Sequence, residues 1–163
     1  ENGGVPQGEN LVEIWLKKRF DIGLGPVIMQ QGGIVDTIEV VSLFTDAANL
    51  YKDVVKSMSQ VEGTIYVSGH FSHFYREGAC LYVSFAGFPQ EPHRYYKDIW
   101  TAAMEATARH NGSISHHHGI GYWRRQFMRQ EMGDSGIEIL RRIKSALDQK
   151  GILNRGKLIE DDR

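Results

Sequence analysis

The sequence predicts an α+β fold in which an antiparallel sheet carries helices on one face and further helices follow at the C-terminal end. Three observations predict it. Residues 34–43 are rich in β-branched side chains. Residues 64–74 and 79–85 read as two strands joined by Arg76-Glu77-Gly78, a hairpin turn that makes the pair antiparallel. Between and after these strands, apolar residues recur at helical spacing over 46–59 and from Pro92 to about His110.

Bulk properties set outer limits. The chain has 163 residues, enough for one domain with a core of its own. Hydrophobic residues make up 41% and charged residues 24%, with a formal net charge of −1. That balance gives no bulk attraction to nucleic acid or to an anionic membrane. Cys80 is the single cysteine, so an intramolecular disulfide is excluded and a reducing compartment fits. A cytoplasmic location is expected, with peripheral association at a membrane left open. No apolar run approaches the roughly 18–20 residues that cross a bilayer. The first residues, Glu1-Asn2-Gly3-Gly4, lack a start methionine and show no secretory signal, so the chain reads as a fragment or a processed product.

Taken in order, residues 1–9 are Gly-rich and polar and read as a tail or linker end. Leu11, Ile14, Trp15 and Leu16 suggest a short helix, with Lys17, Lys18 and Arg19 suited to its C-terminal dipole. In the strand 34–43, Asp36 shares a face with Ile34, Ile38 and Val40, and Glu39 shares the other with Val35, Thr37 and Val41. An acid on each face predicts a polar cleft beside one of them. Thr45 is the expected cap of the helix ending near Ser59, whose stripe is Ala47, Leu50, Tyr51, Val54, Val55 and Met58. On the strand 79–85, Leu81, Val83 and Phe85 form the apolar face and Cys80, Tyr82 and Ser84 the polar one. On 64–74, alternation puts His70 with Ser68 and Ser72, and His73 on the opposite face with Val67 and Phe71.

Tyr96, Ile99, Trp100, Ala103 and Ala106 mark the inward side of the long helix, with Gly112 as its C-cap residue. A short helix is expected over Trp123 to Met132. Ser135 with Glu138 in capping-box position opens the last helix, with core stripe Ile137, Leu140, Ile143 and Leu147 and a stop at Gly151. The order β-α-β-β-α is part of a split βαβ, ferredoxin-like arrangement. It leaves one sheet face, bearing Tyr82 and His70, free for a ligand or another domain.

The stretch Ser113-Ile114-Ser115-His116-His117-His118-Gly119-Ile120-Gly121 is the richest in chemistry. An extended backbone would point His116 and His118 one way and His117 the other. Three readings stand: metal ligands, general acid–base groups, or a polar loop of hydrogen-bonding histidines. No carboxylate or cysteine stands at a familiar ligand spacing, so no metal site is assigned. Gly119 and Gly121 let backbone approach a ligand, and Arg124 and Arg125 add fixed positive charge that suits an anion or simply solvates a helix. Tyr82 is a half-buried sheet tyrosine unless a neighbour assists it in proton transfer. Cys80 reads as a small buried residue.

The histidine run followed by Arg124-Arg125 resembles the His-rich motif of the alkylglycerone-phosphate synthase family, flavin-dependent ether-lipid synthases of the vanillyl-alcohol-oxidase type. Asp36-Thr37-Ile38-Glu39 looks like that family's strand entering the cap sheet, and Gly78-Ala79-Cys80-Leu81-Tyr82 resembles its Gly-Ala-Cys-x-Tyr segment. Residues 146–158 are similar to the C-terminal ending of flavin-linked oxidases. The resemblance spans roughly residues 10–159 and implies a C-terminal cap or substrate domain. The FAD-binding domain would lie N-terminal to it and is its expected partner, with no counterpart in this chain, so this chain alone is expected to bind FAD poorly.

The resemblance further implies exchange of the acyl group of acyl-dihydroxyacetone phosphate for a fatty alcohol through a flavin adduct. It implies Tyr82, His116, His117 and His118 as catalytic residues. His117, His118, Gly119 and Asn154 would face the cofactor, and His70, Arg124 and Arg125 the substrate. Two positions depart from the family pattern. Gly25 to Gln31 holds no arginine where the synthases have one, the nearest being Arg19, and His70 stands where they carry another. An FAD-dependent oxidase or dehydrogenase of a hydroxy acid or alcohol is therefore the alternative, and a non-catalytic binding domain is the reading from a different class. The expected small-molecule partner is accordingly lipid-like or a hydroxy acid. A homodimer is left open.

Overall fold

The computed structural model describes residues 3–6, 8–21 and 23–160. Residues 1, 2 and 7 of the expected tail lie outside the described residues. The elements are α1 (Asn10–Lys18), α2 (Gly25–Gln30), β1 (Ile34–Leu43), α3 (Ala47–Ser59), β2 (Thr64–Phe74), β3 (Gly78–Gly87), α4 (Pro92–Arg109), α5 (Gly121–Arg124), a 3-10 turn over Arg125–Phe127, and α6 (Met128–Leu147).

The three strands form one antiparallel sheet in the order β1-β3-β2. β3 is central, and its burial reflects that: Leu81, Val83 and Phe85 are fully covered. These meet Ile38 and Val40 of β1 and the apolar faces of α3 and α4, including Leu50, Val54, Met58, Ile99, Ala103 and Met104. Each such side chain contributes roughly 1.5–3 kcal/mol by leaving water. Beyond α4 the chain returns to the free edge of β1. There Ser113 and Val41 exchange two backbone hydrogen bonds of 2.9 and 3.0 Å in an isolated antiparallel bridge. In a split βαβ fold this is where a fourth strand pairs with β1. Here the pairing lasts one residue and the chain turns off as the histidine loop.

Several local expectations change. Asp46, not Thr45, precedes α3, and its carboxylate is engaged by Asn49 and His110. The left-handed residue after α4 is Asn111, φ 50°, rather than Gly112. Gly112 serves a different need, because an added Cβ would stand 2.7 Å from the Val41 carbonyl oxygen and 2.9 Å from side chains of Leu50 and Thr107. The single helix expected over Trp123–Met132 is broken into α5, the 3-10 turn and the start of α6. α6 is itself interrupted at Gly133, φ 67° and ψ 173°, where only glycine is at ease. Glu138 pairs with Arg142 one turn on. The helix stops at Leu147, and Asp148 accepts the Ile152 and Leu153 amides before Gly151 can act as a stop. Of the α6 stripe, Ile137 is buried but Ile143 and Leu147 are exposed. α1 forms as expected, with none of its residues buried.

Candidate functional site

Strand register builds the site. Directly opposed residues on antiparallel strands share a face, so Glu39, Tyr82 and His70 form one row across β1, β3 and β2. The expected free polar face is thereby real, but the histidine loop folds over part of it. What draws the loop in is Glu39, which sequence reasoning noted only as an acid beside a cleft. Its side chain has no solvent exposure. Oε1 accepts the backbone N–H groups of His116, His117 and His118 at 2.7, 3.1 and 3.0 Å, and the Ser115 hydroxyl at 3.0 Å.

Successive amides converging on one oxygen make an anion nest. The run is therefore curled rather than extended, and the expected alternation of imidazoles does not occur. Burial by itself pushes the Glu39 carboxyl upward. The His116 and His118 amides, the Ser115 hydroxyl and the Arg124 charge outweigh it and hold the group at about 2.

Arg124 completes the nest. It is 2% exposed and lies 3.6 Å from Glu39 Oε1. Its terminal nitrogens donate to Ser115 Oγ (2.9 Å) and to the backbone oxygens of Gly119 (2.6 Å) and Glu39 (3.2 Å). The guanidinium carbon sits 5.0 Å over the Trp100 ring. Nε is buried and finds no acceptor among the described residues. Burial lowers the pKa of Arg124 while the Glu39 charge opposes it. Arg125 donates to the Gly156 oxygen at 2.6 Å and covers Tyr122. Most of the charge that the sequence offered to an anion thus braces the loop.

Tyr82 is half-buried. Its hydroxyl shares a 3.1 Å hydrogen bond with Thr37 Oγ1. Its ring meets the His118 ring edge-on at 5.4 Å, the His70 ring at 5.4 Å and the His117 ring at 6.5 Å. Beside it a cleft of about 440 Å³ is lined by Asp36, Thr37, Tyr82, Trp100, His118 and the 119–124 segment. Asp36 is fixed by the Tyr96 hydroxyl, whose own pKa is pushed up to about 12 by burial and by that bond. Burial lowers the His118 pKa, with His117 and Arg124 adding to it against Glu39 and Asp36. Burial thus favours the neutral imidazole at the cleft.

The structure gathers Tyr82, His118, Gly119 and Arg124 at this cleft, with His70 beside Tyr82 on the open part of the face. His116 and His117 turn to its other side. Asn154 adopts φ 45° in the exposed tail and is not among the residues lining the cleft. Thr37 and Trp100 belong to the cleft and were not singled out as site residues by sequence, and Asp36 was noted only as an acid on one face of β1. The acid on each face of β1 was the available signal.

The family model described as FAD linked oxidases, C-terminal domain, matches residues 5–158. Over 152 residues the chain is 32% identical to the alkyldihydroxyacetonephosphate synthase of Trypanosoma brucei brucei, covering 89% of this chain and 25% of that protein. It is 26% identical over 166 residues to YgcU, an uncharacterized FAD-linked oxidoreductase of Escherichia coli (strain K12), covering 91% of this chain and 34% of that one. A solved alkyldihydroxyacetonephosphate synthase superposes with a TM-score of 0.59 at 22% identity, over 93% of this chain and 25% of the other. That likeness shows the fold. The chain spans about a quarter to a third of the length of these relatives.

Proposed function

Because the chain belongs to the family of FAD linked oxidases, C-terminal domain, we propose that it is the substrate-side domain of a larger flavoenzyme of the alkyldihydroxyacetonephosphate synthase type. That enzyme would exchange the acyl group of an acyl-dihydroxyacetone phosphate for a fatty alcohol. The observation that carries this reading is the 32% identity to such a synthase over 89% of the chain. The cleft supplies the chemistry.

The residues fit a flavin held from outside. Gly119 and Gly121, at φ 76° and 57°, offer backbone with nothing within 4 Å of where a side chain would begin. The Arg124 Nε–H is an unused donor in the same lining. Held by a second domain, FAD would supply an electron-accepting ring.

The chain's own work is proton handling and orientation. Tyr82 Oη, oriented by Thr37, transfers the proton at the carbon next to the carbonyl. His118, edge-on to the Tyr82 ring, lines the site beside it. Of the two phosphate candidates Arg125 lies nearer the surface, whereas Arg124 is buried and committed to the loop. His116 and His117 hold the loop in shape through their amides.

A second reading has its own support. His70 stands in ring contact with Tyr82, no arginine lies in 25–31, and YgcU is an oxidoreductase by its description. There the enzyme oxidises a hydroxy acid or alcohol, with His70 and His117 or His118 as bases. Anaerobic incubation of the full-length flavoprotein with acyl-dihydroxyacetone phosphate and labelled fatty alcohol separates the two. Label entering an ether product without an electron acceptor supports the synthase. Turnover only of a hydroxy acid, and only with an acceptor, replaces it with the oxidase.

A further inference from the structure

On the side of the histidine loop away from the cleft, one ligand atom from each of His73, Cys80, His116 and His117 lies within 4.8 Å of the others. Chain alternation should have put His73 on the opposite, apolar face. A β-bulge prevents it: β2 slips register between Ser72 and Phe74, and His73 takes φ 50°. A left-handed histidine is strained backbone, and bulges re-aim side chains. The result is a ring 5.0 Å from that of His116 and 4.8 Å from that of His117. Beneath them is the thiol of Cys80, fully buried.

The two loop imidazoles converge as donors to a common point. His116 Nδ1 and His117 Nδ1 face each other at 2.8 Å. The far nitrogen of His116 bonds the Tyr75 hydroxyl at 2.6 Å, the outer partner that a ligating imidazole commonly has. The buried Glu39 carboxylate stands 3.5 Å from His117 Nδ1 and 3.5 Å from the Cys80 sulfur, adding negative charge next to the cluster.

We propose that His73, Cys80, His116 and His117 form a tetrahedral site for zinc(II), clamping the bulge of β2 and the strand β3 to the histidine loop. One thiolate and three imidazoles suit a borderline-soft divalent ion. Zinc bond lengths put such ligand atoms about 3.3–3.6 Å apart, within side-chain rotation of the present spacing. Binding forms one Zn–S and three Zn–N bonds, and the thiol proton leaves to solvent. The four protein ligands fill the coordination shell, so the ion is structural. It fixes the loop that presents His118 to the cleft.

The test is metal binding by the full-length protein. Zinc content after dialysis should approach one equivalent. Cobalt(II) replacing it should give a thiolate charge-transfer band and strong tetrahedral bands at the red end of the visible, clear of oxidised flavin. Cys80→Ser should abolish the charge-transfer band. His73→Gln, at an exposed position that leaves the core intact, should weaken binding by at least about tenfold. Retention far below one equivalent, or equal cobalt affinity and spectrum in wild type and both variants, overturns the site.

Discussion

Glu39→Gln is the most informative single change, because it keeps shape and removes charge. In the wild type one carboxylate oxygen receives four donors at 2.7–3.1 Å, and Arg124 stands at 3.6 Å. A hydrogen bond to a charged acceptor contributes about 1.5–3 kcal/mol, against about 0.5–1.5 for a neutral one. A glutamine oxygen has two lone pairs for those four donors, and the buried guanidinium loses its counter-charge. Breaking one member of a buried pair costs about 3–5 kcal/mol, and the two estimates agree. Local opening of the 113–121 loop should become easier by about 3 kcal/mol or more, which is about a hundredfold or more in exchange rate. Hydrogen–deuterium exchange mass spectrometry on the full-length protein reads this directly from the peptide holding the His116, His117 and His118 amides. Exchange within about threefold of wild type would refute the nest as what shapes the loop.

Two further expectations follow from the same packing. The Glu39 carboxyl falls from an ordinary 4.5 to about 2 in the folded state, with burial opposing and the loop donors prevailing. A depressed acid stabilises above its unfolded pKa, so loop protection should be full above about pH 5. It should decline as pH falls through 4.5 toward 2, by on the order of 3 kcal/mol in all. A pH series of the same exchange measurement checks it, and Glu39→Gln should flatten the dependence. Gly112→Ala forces a methyl against the Val41 oxygen where the chain rejoins β1, so thermal denaturation should show a loss of about 1–3 kcal/mol.

The sheet was legible because its signals are local. β1 and β2 run over the expected residues, and the polar row of Tyr82 and His70 follows from alternation alone. The helix caps were less so, since Asp46 and Asp148 are engaged by side chains and amides that only the folded chain brings near. The form of the histidine loop was hidden for a related reason. Its organising acid lies 77 positions before His116, and no periodicity links a nest of amides to a distant carboxylate. His73 was placed on the wrong face because a bulge breaks the period of two on which face assignments rest. Arg124 looked like a free charge and is instead 2% exposed, its stem and fork absorbed by the loop and Trp100.

Tyr82 is the group proposed to move a proton at this cleft. The direct measurement is anaerobic exchange of labelled fatty alcohol into acyl-dihydroxyacetone phosphate by full-length wild type and Tyr82→Phe. Loss of one hydroxyl, hydrogen-bonded at the cleft edge to Thr37, should leave folding and substrate affinity intact and lower turnover about a hundredfold or more. Wild-type turnover in Tyr82→Phe would contradict it.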